Sequence, residues 1–119
     1  MPSSSDVTRV ASLLPMAPRD YLLLFALADG PLHGHGLLKS LEAEAGGVPF
    51  DPANLYRSLR KLERDELVVE AKSAAGDAGG APRRVYRLTP LGRAALAAEA
   101  RRLASLTAAA RVKKLLPVR

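Results

Sequence analysis

The sequence predicts a mainly α-helical fold with a small β-hairpin, and three observations support this prediction. Aromatic residues are only 4% of the 119-residue chain and tryptophan is absent, so the core must be built from leucine, valine and alanine, which suits packed helices. Two helix starts pair a capping residue with proline, at Asp51-Pro52 and Thr89-Pro90. Between these starts the hydrophobic pattern changes from a helical period to strict alternation.

The N-terminal part begins without strong structure. Residues 1–15 are serine-rich and then weakly apolar, so we expect a flexible tail or a short helix there. Pro18 then suits a first helical position, because its missing N–H would be unpaired there in any case. Residues 18–28 are apolar nearly all round, which predicts a central helix. Asp29 and Gly30 end this helix, and Gly30 can adopt a left-handed cap.

Two further helices follow in close succession. Leucines in residues 34–45 recur at the spacing of one buried face, which predicts a second helix. Asp51 and Pro52 open a third helix as its N-cap and first residue. Its core face holds Leu55, Leu59 and Leu62, at i, i+4 and i+7.

A hairpin and a long helix complete the chain. Residues 67–72 and 83–88 are predicted strands, and the glycine-rich residues between them form the tip. Thr89 and Pro90 then start a helix that we expect to reach about Arg111. Three helices, a basic hairpin and a long helix describe a winged helix-turn-helix. We therefore predict a flexible tail at 1–15, a winged helix-turn-helix domain at 16–89, a dimerisation helix at 90–114 and a tail at 115–119.

Positive charge begins at one point in the chain. Residues 1–56 hold three basic and six acidic residues, a net charge of −3. Residues 57–119 hold fifteen basic and six acidic residues, a net charge of +9, which gives the chain its overall +6. A basic half of this kind suggests a polyanionic partner, which would bind after Arg57.

Composition also argues against several classes of protein. There is no cysteine, so disulfides, cysteine zinc sites and thiol catalysis are excluded. The longest apolar run, residues 21–28, is far shorter than the roughly 20 residues needed to span a bilayer. With no signal peptide evident, we expect a cytoplasmic protein without a membrane partner. The only histidines, His33 and His35, do not share a helix face, so we predict no metal, no cofactor and no enzyme activity.

The third helix has a basic face opposite its leucines. On a wheel of about 100° per residue, Arg57 and Arg64 lie almost opposite the core face. Asparagine and arginine side chains there can make bidentate contacts with adenine and guanine. A solvated face with ordinary charge pairs is the alternative, but the charge asymmetry favours DNA. The candidate contacts on this helix are Ala53, Asn54, Tyr56, Arg57, Arg60, Lys61 and Arg64.

The hairpin is the second candidate DNA contact. Lys72, Arg83 and Arg84 flank its glycine-rich tip. A flexible basic loop can follow a phosphate backbone or enter a minor groove. The alternative is a solvated turn, made soluble by arginine.

The last helix carries an apolar stripe that suggests dimerisation. Leu96, Leu103, Leu106 and Ala110 recur at spacings of seven, three and four residues, as in a coiled coil. We expect this seam to meet the same helix of a second copy. The alternative is packing onto the chain's own first helix through Leu91 and Ala95, and both contacts can exist together.

Three stretches resemble the PadR family of bacterial transcriptional regulators. They are residues 32–41 with their histidine-glycine helix start, 51–63 with a leucine-tyrosine recognition helix, and 83–92 with a wing strand and a following glycine. The resemblance implies a winged helix-turn-helix dimer paired through its C-terminal helix, and repression of a promoter that a small molecule often relieves. It also implies DNA contacts for Asn54 and Tyr56. His35 departs from the family, which usually has tyrosine or another residue at this position, and the single C-terminal helix is similar to the family's shorter branch.

We therefore expect a sequence-specific DNA-binding regulator. It would act as a repressor, binding a palindromic operator in double-stranded DNA as a homodimer, with a small-molecule effector of unknown identity. Two alternatives stay open. One is a nonspecific nucleoid-type DNA-binding protein, and the other is a protein-interaction module whose basic face binds an acidic partner.

Overall fold

The computed structural model describes residues 4–44, 51–72 and 84–117. Its helices and strands are α1 (Ser4–Ser12), α2 (Pro18–Ala26), a 3₁₀ turn (Leu27–Asp29), β1 (Leu32–His33), α3 (Gly34–Glu44), α4 (Pro52–Arg64), β2 (Val68–Lys72), β3 (Arg84–Leu88) and α5 (Pro90–Val112). The three central helices, the hairpin and the long C-terminal helix follow the predicted order, and α1 and β1 are additional elements. The prediction of a mainly helical fold with a small hairpin and a long C-terminal helix is confirmed.

Both predicted proline-preceding caps are present. The Asp51 carboxylate accepts a hydrogen bond of 2.9 Å from the Asn54 backbone N–H. The Thr89 hydroxyl accepts one of 2.9 Å from the Gly92 N–H and donates one of 2.6 Å to the Glu66 carbonyl. These bonds satisfy N–H groups that a helix start would otherwise leave unpaired. They fix where α4 and α5 begin.

The hairpin belongs to a three-stranded antiparallel sheet with the order β1-β3-β2. The sequence did not predict β1, whose Leu32 and His33 pair with Tyr86 and Val85. A strand of two residues is too short to show alternation, so its pairing depends on where the hairpin packs. Through β1, the start of α3 is joined to the hairpin.

The core lies where α2, α3 and α4 meet, closed by β3 and α5. Leucines dominate it, as the composition predicted. Its buried members are Val10, Leu23, Leu24, Leu27, Leu37, Leu41, Leu55, Leu59, Leu62, Leu67, Val68, Tyr86, Ala95 and Leu96.

The N-terminal segment differs from the predicted flexible tail. Ser4–Ser12 form a helix, and Val10 on it is only 7% exposed. Arg9 donates a hydrogen bond of 2.7 Å to the Asp65 carbonyl and pairs with the Glu66 carboxylate at 3.0 Å. The tail prediction is therefore wrong for these residues, and the short-helix alternative is right. A helix this short gains its stability from tertiary packing, which the sequence alone does not display.

The described helices give no sign of a membrane span. Within residues 4–44, 51–72 and 84–117, none is both long and apolar enough to cross a bilayer.

Candidate nucleic-acid interface

Helix α4 presents a basic face to solvent. Its leucines are buried in the core, which turns the opposite side of the helix outward. Ala53, Arg57, Arg60 and Arg64 are all exposed on that outer side. The wheel orientation predicted from the leucine spacing is therefore the one observed, with three arginine side chains along one accessible face.

A chain of hydrogen bonds organises the start of this face. The Asn54 side-chain N–H donates to the Asp51 carboxylate at 2.9 Å, and Arg57 donates to the Asn54 carbonyl oxygen at 3.3 Å. The acceptor is the side-chain amide oxygen of Asn54, so the guanidinium of Arg57 is directed toward the N-terminal end of α4. A bidentate contact of Asn54 with adenine would first have to break these bonds. Arg57 is also exposed, whereas Asn54 is only partly so, which leaves Arg57 the more accessible of the two.

Lys61 differs from the other predicted cations of α4. Its ammonium lies 2.7 Å from the carboxylate of Asp20, on α2. This hydrogen bond and the charge of Asp20 raise the pKa of Lys61 above its usual value. Since the Asp20 side chain is only 9% exposed, Lys61 neutralises a buried charge. This geometry therefore does not support the prediction that Lys61 contacts DNA together with the outward arginines.

Tyr56 lies beside the start of α3. A Cβ atom built on Gly34 would be 2.4 Å from the Tyr56 hydroxyl oxygen, so only glycine leaves room for the ring in this position. Tyr56 is nevertheless 41% exposed. It packs sideways against α3 and keeps part of its ring accessible.

A cleft of about 760 Å³ separates α4 from the hairpin and the start of α3. It holds cations and carboxylates together, with tyrosines and both histidines. Burial raises the pKa of Glu63, and the charge of Glu70 raises it further, against the opposing effect of Arg84 and Arg60. The lining residues are His33, Gly34, His35, Tyr56, Leu59, Arg60, Glu63, Glu70, Arg84 and Tyr86.

The hairpin places one described arginine next to α4. Arg84 is 72% exposed and pairs with the Glu70 carboxylate at 3.1 Å. Lys72 is opposite Arg84 in the strand register, which puts both backbones at the tip end of the hairpin. Arg83 and the side chain of Lys72 lie outside the described part of the structure. The predicted wing contact is thus represented by Arg84, which shares the cleft with Arg60.

The predicted seam on α5 divides into two parts. Leu96 is 9% exposed and belongs to the chain's own core, so it offers little surface to the predicted dimer interface. Ala95 is fully buried and α5 contacts α2, which is the helix predicted over residues 18–28, so the intrachain alternative is supported for this half of α5. Leu103 and Ala110 are half-buried and Leu106 is 55% exposed. The part of the seam that remains accessible is therefore the C-terminal half of α5.

Several features of this surface carried no signal in the sequence. Glu63 and Glu70 are ordinary polar positions on a helix and a strand, and Asp20 comes directly before the apolar run of residues 21–28. Only the packing of separate elements brings them next to arginine or lysine. Among the residues that the structure describes, no group of three or more histidine, aspartate, glutamate or cysteine side chains could hold a metal ion.

The chain matches the family model of the transcriptional regulator PadR-like family over residues 23–98. It belongs to this family. The match runs from α2 into α5 and so includes α4 and the hairpin, as the three resembling stretches indicated. This PadR-like chain is also 39% identical over 84 residues to the transcriptional regulator Rv3488 of Mycobacterium tuberculosis, covering 71% of this chain and 74% of that protein.

Solved structures show the same fold. A PadR family transcription regulator from Clostridium difficile superposes with a TM-score of 0.71 at 19% identity, covering 80% of this PadR-like chain and 96% of the other. Bacillus subtilis PadR, solved in complex with operator DNA, gives a TM-score of 0.59 at 24% identity over 69% of this chain and 46% of its own. At these identities the likeness shows the fold.

Proposed function

We propose that this PadR-like transcription regulator is a homodimeric repressor that binds a palindromic operator. The observation that carries the proposal is the exposed arginine face of α4, with Arg57, Arg60 and Arg64 accessible beside Arg84 of the hairpin. The Bacillus subtilis PadR structure contains operator DNA, and its likeness in fold supports the same kind of partner here. A regulator of this kind would act in the cytoplasm, where bacterial DNA is.

Recognition divides between two kinds of contact. Helix α4 would enter the major groove with its outer face, since an α-helix fits there and each base pair presents a distinct pattern of donors and acceptors. Arg60, Arg64 and Arg84 would supply phosphate contacts, which give affinity without sequence information. Arg57, near the start of α4, would supply the base contact that distinguishes one operator from another.

Dimerisation would use the C-terminal half of α5. Leu106 of α5 is 55% exposed, and Val112 at the end of this helix and Leu115 and Leu116 just after it are exposed as well. Exposed apolar surface of this kind is stabilised when a second copy covers it. A two-fold pair would present two α4 helices, so each half-site would be contacted once and the half-sites would be about one helical turn apart.

Repression would follow from occupancy of the operator. A dimer bound across a promoter excludes the polymerase, and a small molecule that changes the spacing of the two α4 helices would release it. No cofactor and no catalytic step are required.

Selection of bound duplexes from a random pool tests this proposal. We expect enrichment of one palindromic sequence, and retention of that duplex when unrelated DNA competes. Enrichment of no sequence, with full competition by unrelated DNA, would instead indicate a nucleoid-type protein. A failure to retain any duplex at low salt would favour an acidic protein partner. The matched control carries Arg57→Gln, Arg60→Gln and Arg64→Gln, which removes the basic face and leaves the leucine face of α4 intact.

A further inference from the structure

The ion pair of the hairpin has an exposed cation and a sheltered anion. Arg84 on β3 and Glu70 on β2 are diagonal neighbours on the same sheet face, since Glu70 pairs with Tyr86 and Arg84 with Lys72. Their side chains meet at 3.1 Å, with Arg84 72% exposed and Glu70 28% exposed. A phosphate arriving from solvent can therefore reach Arg84, while Glu70 stays behind it in the cleft.

A second carboxylate strengthens the negative charge behind Arg84. Glu63 of α4 lines the same cleft as Glu70, and the charge of Glu70 raises the pKa of Glu63. Arg60 and Arg84 are the cations that counter them there. A phosphate that approached this point would meet two anions as well as two cations, so its net attraction to Arg84 is reduced.

We propose that Glu70 competes with DNA phosphate for Arg84, and that it thereby lowers the affinity of the protein for DNA of any sequence. The inference rests on the proposed function, since it assumes that α4 and the hairpin face DNA. A phosphate contact releases counterions and contributes to the salt dependence of binding. While Arg84 is paired with Glu70, Arg84 contributes less to the salt dependence of DNA binding. Base contacts by Arg57, farther toward the N-terminal end of α4, are unaffected.

The test compares two glutamate substitutions that change the net charge equally. Glu70→Gln frees Arg84 and keeps the shape of the side chain. Glu66→Gln is the matched control, because Glu66 pairs with Arg9 at 3.0 Å and is not among the residues lining the cleft. Affinity for a labelled random-sequence duplex would be measured by fluorescence anisotropy over a series of salt concentrations.

We expect Glu70→Gln to bind about fivefold more tightly than Glu66→Gln at low salt, as one additional charge-assisted contact would produce. Its plot of log affinity against log salt should be steeper by about one unit. Equal affinities and equal slopes for the two variants would overturn the inference.

A double substitution separates competition from general repulsion. In an Arg84→Gln background, Glu70→Gln should no longer increase affinity, because there is no arginine left to release. A gain that persists there would mean that Glu70 repels DNA without engaging Arg84, and would overturn the proposal. If the wild-type protein binds no duplex at low salt, the proposed function fails and this inference fails with it. If the wild type binds and Glu70→Gln matches its control, only this inference fails.

Discussion

Lys61 and Asp20 form an ion pair of 2.7 Å that joins α4 to α2 across 41 positions of the chain. Asp20 is 6% exposed as a residue, so the pair gives a buried carboxylate its partner. On the wheel of α4, Lys61 lies between the outward arginines and the leucine face. The pair therefore holds the orientation in which α4 turns those arginines to solvent.

Lys61→Gln should affect folding more than DNA binding. The substitution weakens the partner of a buried carboxylate, and we expect the free energy of unfolding to fall by about 1 kcal/mol in urea titrations. The salt dependence of DNA affinity should stay at its wild-type value. Arg64→Gln is the matched control, with unchanged stability and a slope smaller by about one unit. If Lys61→Gln reduced the slope of log DNA affinity against log salt by a similar amount, Lys61 would have to be counted as a DNA contact.

Arg57→Ala should relax sequence preference at one position of each half-site. A bidentate arginine–guanine contact contributes roughly 1–3 kcal/mol of discrimination, and Arg57 is exposed, so the fold should be preserved. The measurement is affinity across a panel of operators changed one base pair at a time. Weakening by the same factor for every operator would show that Arg57 contacts only phosphate. Asn54 would then become the main candidate for contacting a base.

Leu106→Asp should dissociate the proposed dimer. The side chain is 55% exposed in the single chain, so the charge would not disturb the chain's own core, but it would be buried in the proposed interface. Sedimentation at micromolar concentration should give the mass of a dimer for the wild type and of a monomer for the variant. Ala104→Asp, on an exposed part of the same helix, is the control that should stay dimeric. A monomeric wild type would contradict the proposed assembly.

Gly34→Ala should weaken DNA binding by displacing Tyr56. The new methyl group would lie 2.4 Å from the Tyr56 hydroxyl oxygen, and the half-exposed ring can move away, so the thermal midpoint should change little. Gly36→Ala is the matched control, because its nearest contact is an ordinary 3.9 Å from Leu32. Affinity for a cognate duplex should fall several-fold in Gly34→Ala only, an effect of roughly 1 kcal/mol. Equal affinities would mean that the position of Tyr56 does not matter for DNA.

Glu99 should make the free energy of unfolding depend on pH in the acid range. Its side chain is 1% exposed and accepts hydrogen bonds of 2.9 Å from Arg102 and from the Met16 backbone N–H. The bond from Arg102 is the main cause that lowers the pKa of Glu99 below its usual 4.5, against the effect of burial. A lowered pKa in the folded state means that this stabilisation is complete above about pH 4.5 and is lost as the pH falls through the folded value.

Urea unfolding of the wild type and Glu99→Gln at several pH values checks this dependence. The advantage of the wild type in free energy of unfolding should narrow as the pH falls below about 4.5. Arg102→Gln should be the less stable of the two variants at neutral pH, because it leaves a buried carboxylate without its ion-pair partner. If the difference in free energy of unfolding between wild type and Glu99→Gln stayed constant from neutral to acid pH, a lowered pKa of Glu99 would be contradicted.

The sequence by itself determined the features that depend on neighbouring residues. A cap followed by proline specifies where a helix starts, as the hydrogen bonds of Asp51 and Thr89 confirm. Leucine spacing specifies which side of a helix is buried, so the outward direction of Arg57 and Arg64 could be predicted. Three short stretches in the right order predicted membership of the PadR family, and the family match over residues 23–98 confirms this prediction.

Only the tertiary structure decided which distant side chains meet. Lys61 and Arg64 look alike in the sequence, yet Lys61 has a buried carboxylate within reach and Arg64 remains outward because α2 packs on one flank of α4. Leu96 fits a dimer seam by spacing but is covered by its own core. Glu70 meets Arg84 only through the register of two strands. Periodicity defines a face of one element, whereas ion pairs and buried surfaces depend on the elements packed against it.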